Sequence, residues 1–121
     1  MQESGENYLE TILILRQQHG YVRSIDVANH LGFTKASVSR AMGILKESDY
    51  IFIEPSGNIL LTEKGQKKAE AIYDRHLTIS HFLIDVLHIP EETAIHDACR
   101  IEHIISEESF QKIKQYVQEH S

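Results

Sequence analysis

A chain of 121 residues with 41% apolar and 25% charged side chains, 6 Gly and 2 Pro has the composition of one folded domain and leaves no room for a catalytic domain beside a regulatory one. Its apolar runs fall short of the roughly 18 to 20 residues that cross a bilayer, and MQESGENYLE has neither the basic region nor the apolar core of a secretion signal, so the expectation is a cytoplasmic protein without a membrane partner. Twelve basic against eighteen acidic residues give a net charge of -6, which opposes nucleic acid as a partner, although residues 34 to 68 hold 6 basic and 4 acidic side chains.

Taken in chain order, Tyr8, Leu9, Ile12, Leu13 and Leu15 recur at helical spacing, and Gly20 ends that helix. Ser24 is expected to cap a second, short helix with Ile25, Ala28 and Leu31 inward, stopped by Gly32. Thr34 caps a third to about Ser48, with Val38, Ala41, Met42 and Leu45 facing the core. The period then changes: Tyr50 to Glu54 and Ile59 to Leu61 flank Pro55, Ser56, Gly57 and Asn58 as a hairpin. Thr62 opens a long helical pattern through Leu87, and Pro90 is expected as the first residue of the next helix. Ser106 caps a last helix bearing Phe110, Ile113 and Val117. The chain reads as mainly α: an N-terminal winged helix-turn-helix over 1–70, then a helical body over 71–121.

The second and third helices have the layout that lets a recognition helix enter a major groove about 12 Å wide. With its apolar side buried, the third helix presents Thr34, Lys35, Ala36, Ser37, Ser39 and Arg40. Arginine forks onto a guanine edge, serine contacts base or phosphate, and alanine leaves room for a thymine methyl. The hairpin tip has no Lys or Arg, so phosphate contact is expected from Lys64, Lys67 and Lys68 beyond it.

A second constellation lies downstream. Cys99, Glu102 and His103 stand at i, i+3 and i+4, on one face of one helix. Thiolate, carboxylate and imidazole together suit a transition ion, because Ca²⁺ and Mg²⁺ prefer oxygen shells and closed structural zinc sites favour more cysteine. Cys99 is the only cysteine, so it forms no intrachain disulfide and is either a small core residue or a ligand or nucleophile. Asn7 and Glu10 on the first helix and His76 on the long one are candidates to complete the shell, and His96 is not excluded by spacing. The competing assignment makes His76 a core histidine, Glu10 a surface acid and Asn7 a cap. An ion shared by these helices would tie the helix before the DNA-binding motif to the C-terminal body, which is a metal-responsive switch.

Four stretches carry a family resemblance: ENYLETILIL (6–15), VANHLGFTKASVSRAMGILKESDYI (27–51), LTEKGQKKA (61–69) and HDACRIEHIIS (96–106). The chain resembles the metal-dependent repressors of the diphtheria toxin repressor and manganese transport regulator family, in the short form without an SH3-like domain. The resemblance implies a winged helix followed by a metal-binding and dimerisation domain. It further implies a homodimer that binds palindromic operator DNA when loaded with Fe²⁺ or Mn²⁺, with Co²⁺, Ni²⁺ or Zn²⁺ active in vitro, and that represses genes of metal homeostasis. Under it, Cys99, Glu102, His103 and His76 match metal-binding positions, with cysteine at 99 the iron-type choice. Glu10 matches a manganese-type glutamate, and Asn7 falls where the branches use aspartate or methionine. Ser80 and Ile95 replace the glutamate and histidine of an ancillary iron-type site. The alternative from another class is a metal-independent winged-helix regulator whose C-terminal helices bind a protein or small effector. No nucleophile with a base, and no glycine-rich phosphate loop, marks an enzyme.

Overall fold

Helix α1 (Glu3–His19) buries Tyr8, Leu9, Ile12, Leu13 and Leu15, the spaced apolar positions of its sequence. Gly20, at a φ of 73°, closes it with its N–H on the Arg16 carbonyl at 2.8 Å, a left-handed terminus that glycine adopts without strain. The computed structural model describes residues 3–120, in two compact units, Met1–Glu70 and Ala71–Ser121.

In the first unit, α2 (Ser24–Leu31) is capped at Arg23, not at Ser24 as expected. The reason is Asp26, whose Oδ2 accepts the Arg23 N–H at 2.8 Å from the third helical position, so an acid reaching back from within the helix does the capping. Gly32 ends α2 at a φ of 72°. Helix α3 (Lys35–Glu47) begins at Thr34, whose hydroxyl accepts the Ser37 N–H at 3.2 Å. It buries Val38, Met42 and Leu45, with Ala41 only half-buried.

Strands β1 (Ile51–Ile53) and β2 (Ile59–Leu61) pair antiparallel, Ile51 opposite Leu61 and Ile53 opposite Ile59. Their turn is closed by Glu54 N–H on the Asn58 carbonyl (2.9 Å) and Gly57 N–H on the Glu54 carbonyl (2.8 Å). The segment before α2 is stitched to this wing: the Ile59 N–H donates to the Val22 carbonyl at 2.7 Å, and the Val22 N–H donates to Asn58 Oδ1 at 3.1 Å. Satisfying Val22 from the wing allows it to be fully buried without an orphan backbone group.

Helix α4 (Glu63–His81) is capped by Thr62, whose Oγ1 accepts the Gly65 N–H at 3.0 Å. A Cβ on Gly65 would sit 1.9 Å from the Tyr50 carbonyl oxygen, so glycine is what lets α4 start against the wing. The helix stops at His81 and not at Leu87: Phe82–Val86 is a single π-helical turn. The wider turn brings Leu83 into the core of the second unit with Ile79, Ala94, Ala98 and Phe110, while Phe82 and Ile84 pack against it.

That unit continues with α5 (Glu91–Ile104) and α6 (Glu107–Glu119). Pro90 is the N-cap of α5 and not its first helical residue, so the helix begins one residue later than expected; its ψ of 140° is extended and not yet helical. Ser106 caps α6 through the Ser109 N–H at 3.1 Å. Among the described residues, no helix is long and apolar enough to cross a membrane.

Candidate metal centre and nucleic-acid interface

Helix α4 carries His76 and helix α5 carries Cys99, Glu102 and His103, and the second unit brings these four side chains together. His76 Nδ1 lies 2.9 Å from Glu102 Oε2 and 3.8 Å from Cys99 Sγ. His103 Nε2 lies 3.3 Å from Glu102 Oε1. Glu102 is the centre of the cluster, with only 2% of its surface exposed. A carboxylate this deep is costly to bury unless opposite charge or hydrogen bonds compensate it.

His76 provides part of that compensation. Hydrogen bonding to Cys99, then to Glu102, raises the imidazolium to about 10 against the opposing effect of its partial burial. Tyr73, one turn earlier, stacks near the ring at 6.4 Å between centroids. Glu102 Oε1, for all its contact with His103, has no hydrogen-bond partner among the described residues despite its burial. The Glu102 carboxylate faces His76 with one oxygen and His103 with the other, and Cys99 Sγ lies beside the His76 ring, a donor set that fits a transition cation; His76 and Glu102 both belong to a metal-capable group.

Arg75 braces this arrangement, and nothing in the sequence pattern marked it. Its Nη1 donates to the carbonyls of Glu102 (3.3 Å) and Ile105 (2.9 Å), and its Nη2 pairs with Glu107 at 2.6 Å. The end of α5 is thereby fastened to the residue next to His76. Gln111 and then Arg75 hold the Glu107 carboxyl below its ordinary value.

The other sequence candidates are placed as follows. Glu10 is buried on α1 and Asn7 is half-buried one turn before it. His96 has 73% of its side chain exposed and lies 3.8 Å from Asp97, its own neighbour. Ile95 is exposed, and Ser80 is buried with no hydrogen-bond partner for its hydroxyl among the described residues, so neither position offers the usual ligand of an ancillary ion.

In the first unit, Thr34, Lys35, Ala36, Ser37, Ser39 and Arg40 are all exposed on α3. The lysines after the wing are occupied to different degrees. Lys64 donates to the Ser48 carbonyl at 2.9 Å and lies 4.3 Å from the centre of the Tyr50 ring, whereas Lys67 makes an exposed pair with Glu63 at 3.3 Å, which is worth little. Lys68 pairs with Glu6 at 3.3 Å.

This architecture has matches among known proteins. Residues 1–59 match the family described as iron dependent repressor, N-terminal DNA binding domain, and residues 62–121 match iron dependent repressor, metal binding and dimerisation domain. The chain belongs to the iron-dependent repressor family. As such it is a DNA-binding transcriptional regulator and not an enzyme, with a winged helix followed by a metal-binding and dimerisation domain. This repressor-family chain is 34% identical over 119 residues to an uncharacterised HTH-type transcriptional regulator of Methanocaldococcus jannaschii, covering 98% of this chain and 95% of that one. It is 33% identical over 115 residues to the HTH-type transcriptional regulator MntR of Geobacillus thermodenitrificans, covering 95% and 81%. Among solved structures, IdeR of T. acidophilum superposes with a TM-score of 0.83 at 26% identity, covering 93% of this chain. The chain spans about half the length of that solved protein, 53%.

Proposed function

We propose that this chain is a cytoplasmic, metal-activated, homodimeric repressor that binds a palindromic operator and controls metal homeostasis genes. Residues 1–70 serve as the DNA-binding domain and 71–121 as the metal-binding and dimerisation domain. The observation that carries the reading is the buried Glu102 carboxylate flanked by His76 and His103, with Cys99 Sγ 3.8 Å from the His76 ring nitrogen.

His76, Cys99, Glu102 and His103 hold the ion, joined by Glu10 and more weakly by Asn7 on the strength of the family resemblance. Glu10, His76 and Glu102 are donors of the kind a divalent cation takes. The ion supplies positive charge and directional ligand bonds. Ligands drawn from α1 and from the C-terminal helices couple occupancy to the DNA-binding domain. There Arg40 reads a guanine edge; Thr34, Lys35, Ala36, Ser37 and Ser39 contact base edges or phosphate; and Lys64 and Lys67 serve phosphate. The physiological ion is Fe²⁺ or Mn²⁺, with preference for Fe²⁺, because a thiolate is softer than the carboxylate it replaces and moves selectivity away from Mn²⁺. Co²⁺, Ni²⁺ and Zn²⁺ also fit this donor set in vitro.

The test is DNA binding by fluorescence anisotropy, titrated anaerobically with Fe²⁺ and with Mn²⁺. Cys99→Glu is expected to retain metal-dependent binding and shift relative activation toward Mn²⁺. Cys99→Ala is expected to raise the metal needed with every ion. Identical responses of all three proteins to both ions would remove Cys99 from the shell.

A further inference from the structure

The wing poses an electrostatic problem. Its tip, Pro55 to Asn58, has no cation of its own, and Glu54 beside it adds a carboxylate that is held by the Asn58 side-chain amide at 2.7 Å. A wing of this charge repels a phosphate chain. The structure places a cation there from another element. Arg23, the residue before α2, donates from Nη2 to the Ser56 carbonyl at 2.8 Å, and its guanidinium lies over Gly57: a Cβ built on Gly57 would meet Arg23 Nε at 3.1 Å.

We propose that Arg23 is the phosphate-binding side chain of the wing, supplied from the α2 N-terminus of the same chain to a turn that lacks its own. This inference rests on the DNA-binding function proposed above. Arg23 is exposed, and no carboxylate forms an ion pair with it among the described residues. The nearest acid, Asp26, accepts the Arg23 backbone N–H instead, which orients the residue without neutralising its head. One guanidinium N–H is spent on Ser56, leaving others of the five for an incoming anion. Tyr21, whose hydroxyl donates to the same Ser56 carbonyl at 3.2 Å, steadies the turn from the other side.

Arg16 shows what a purely architectural arginine looks like in this unit. It is half-buried, with its Nη1 donating to the Ile59 carbonyl at 2.8 Å. Gly57 is the complementary feature on the wing. At a φ of 94° it takes a backbone conformation that side chains disfavour, and its bare α-carbon is what the guanidinium lies against.

The experiment uses the full chain loaded with Mn²⁺ and a short random-sequence duplex, followed by anisotropy over about 0.05 to 0.2 M salt. Arg23→Gln keeps an N–H donor for Ser56 but removes the charge. It is expected to lower the salt slope by about 0.9 per subunit, which is about an eightfold loss in affinity per subunit at 0.1 M salt relative to 1 M. Arg23→Lys should keep the slope, and Ser56→Lys placed on Arg23→Gln should restore it by giving the wing its own cation. Arg23→Gln binding with the parent slope would overturn the inference, whether its affinity is unchanged or falls by a salt-independent factor, because a residue that merely pins the wing gives the latter. A parent protein that binds no duplex with or without metal would instead overturn the DNA-binding reading, and this inference with it.

Discussion

Two glycines in this chain have opposite reasons for being glycine. Gly65 opens α4 where a Cβ would stand 1.9 Å from the backbone oxygen of Tyr50, while a Cβ on Gly43 in α3 would meet, beyond its own helix backbone and chain neighbours, none of the described residues within 4 Å. Gly65→Ala is therefore expected to cost about 3 kcal/mol through forced movement of backbone, and Gly43→Ala to add about 1 kcal/mol through helix propensity. Thermal unfolding checks both signs, with Gly43→Ala expected to raise Tm by about 4 °C. At His76 the relevant quantity is a proton. Its folded value of about 10 stands above the ordinary 6.5, so the protonated ring stabilises the metal-free fold fully below pH 6.5, and that contribution is lost as pH rises through about 10. Ligation needs the neutral ring. Metal affinity should consequently rise with pH between about 7 and 9, by at most tenfold per unit for this one proton. Calorimetric titration with Mn²⁺ in two buffers of different ionisation heat measures the proton released.

Helix α3 divides its surface by burial. Val38, Met42 and Leu45 anchor α3, while Arg40 and the residues at its N-terminal end stand in solvent. Arg40→Ala should weaken binding to operator more than to random duplex, by about 1 to 3 kcal/mol, because a forked contact discriminates bases. Lys67, held only by the exposed pair with Glu63 among the described residues, should behave differently. Lys67→Ala should weaken both duplexes alike and lower the salt slope by about 1. Equal losses on both duplexes for Arg40→Ala would make it a positioning contact. The π-helical turn at Phe82–Val86 shows an element answering to packing: α-helical periodicity continues through it in the sequence, but the core of Ala94, Ala98 and Phe110 is filled by Leu83 from a widened turn.

For the whole molecule, the question is which apolar surface self-association covers. Leu83 and Phe110 lie in the core of their own unit. Leu87 and Ile104 remain 51% and 74% exposed, large values for side chains of that type. Sedimentation of the metal-loaded protein is expected to give a mass near twice 13.9 kDa. Introducing Leu87→Glu with Ile104→Glu should shift it toward the monomer without loss of helicity, since both side chains lie outside the core. A monomeric parent would remove the dimer from the proposed mechanism.

What the sequence by itself determined was local in origin. Helix starts at Thr34, Thr62 and Ser106, stops at Gly20 and Gly32, the hairpin around Gly57, and the shared face of Cys99, Glu102 and His103 all follow from interactions within a few residues. Patterns of that range survive in a linear string. What only the tertiary structure decided depends on groups far apart in the chain. The bracing of the Glu102 carbonyl by Arg75 and the seating of Arg23 on the Ser56 carbonyl span 27 and 33 residues. The demand for glycine at 65 is also non-local: it comes from the Tyr50 carbonyl and not from any helical rule. The same holds for His76: its spacing made it a candidate, but its raised affinity for a proton comes from Cys99 and Glu102 on another helix. Side-chain electrostatics and steric exclusion act through space, so they are fixed only when folding brings those atoms within a few ångströms.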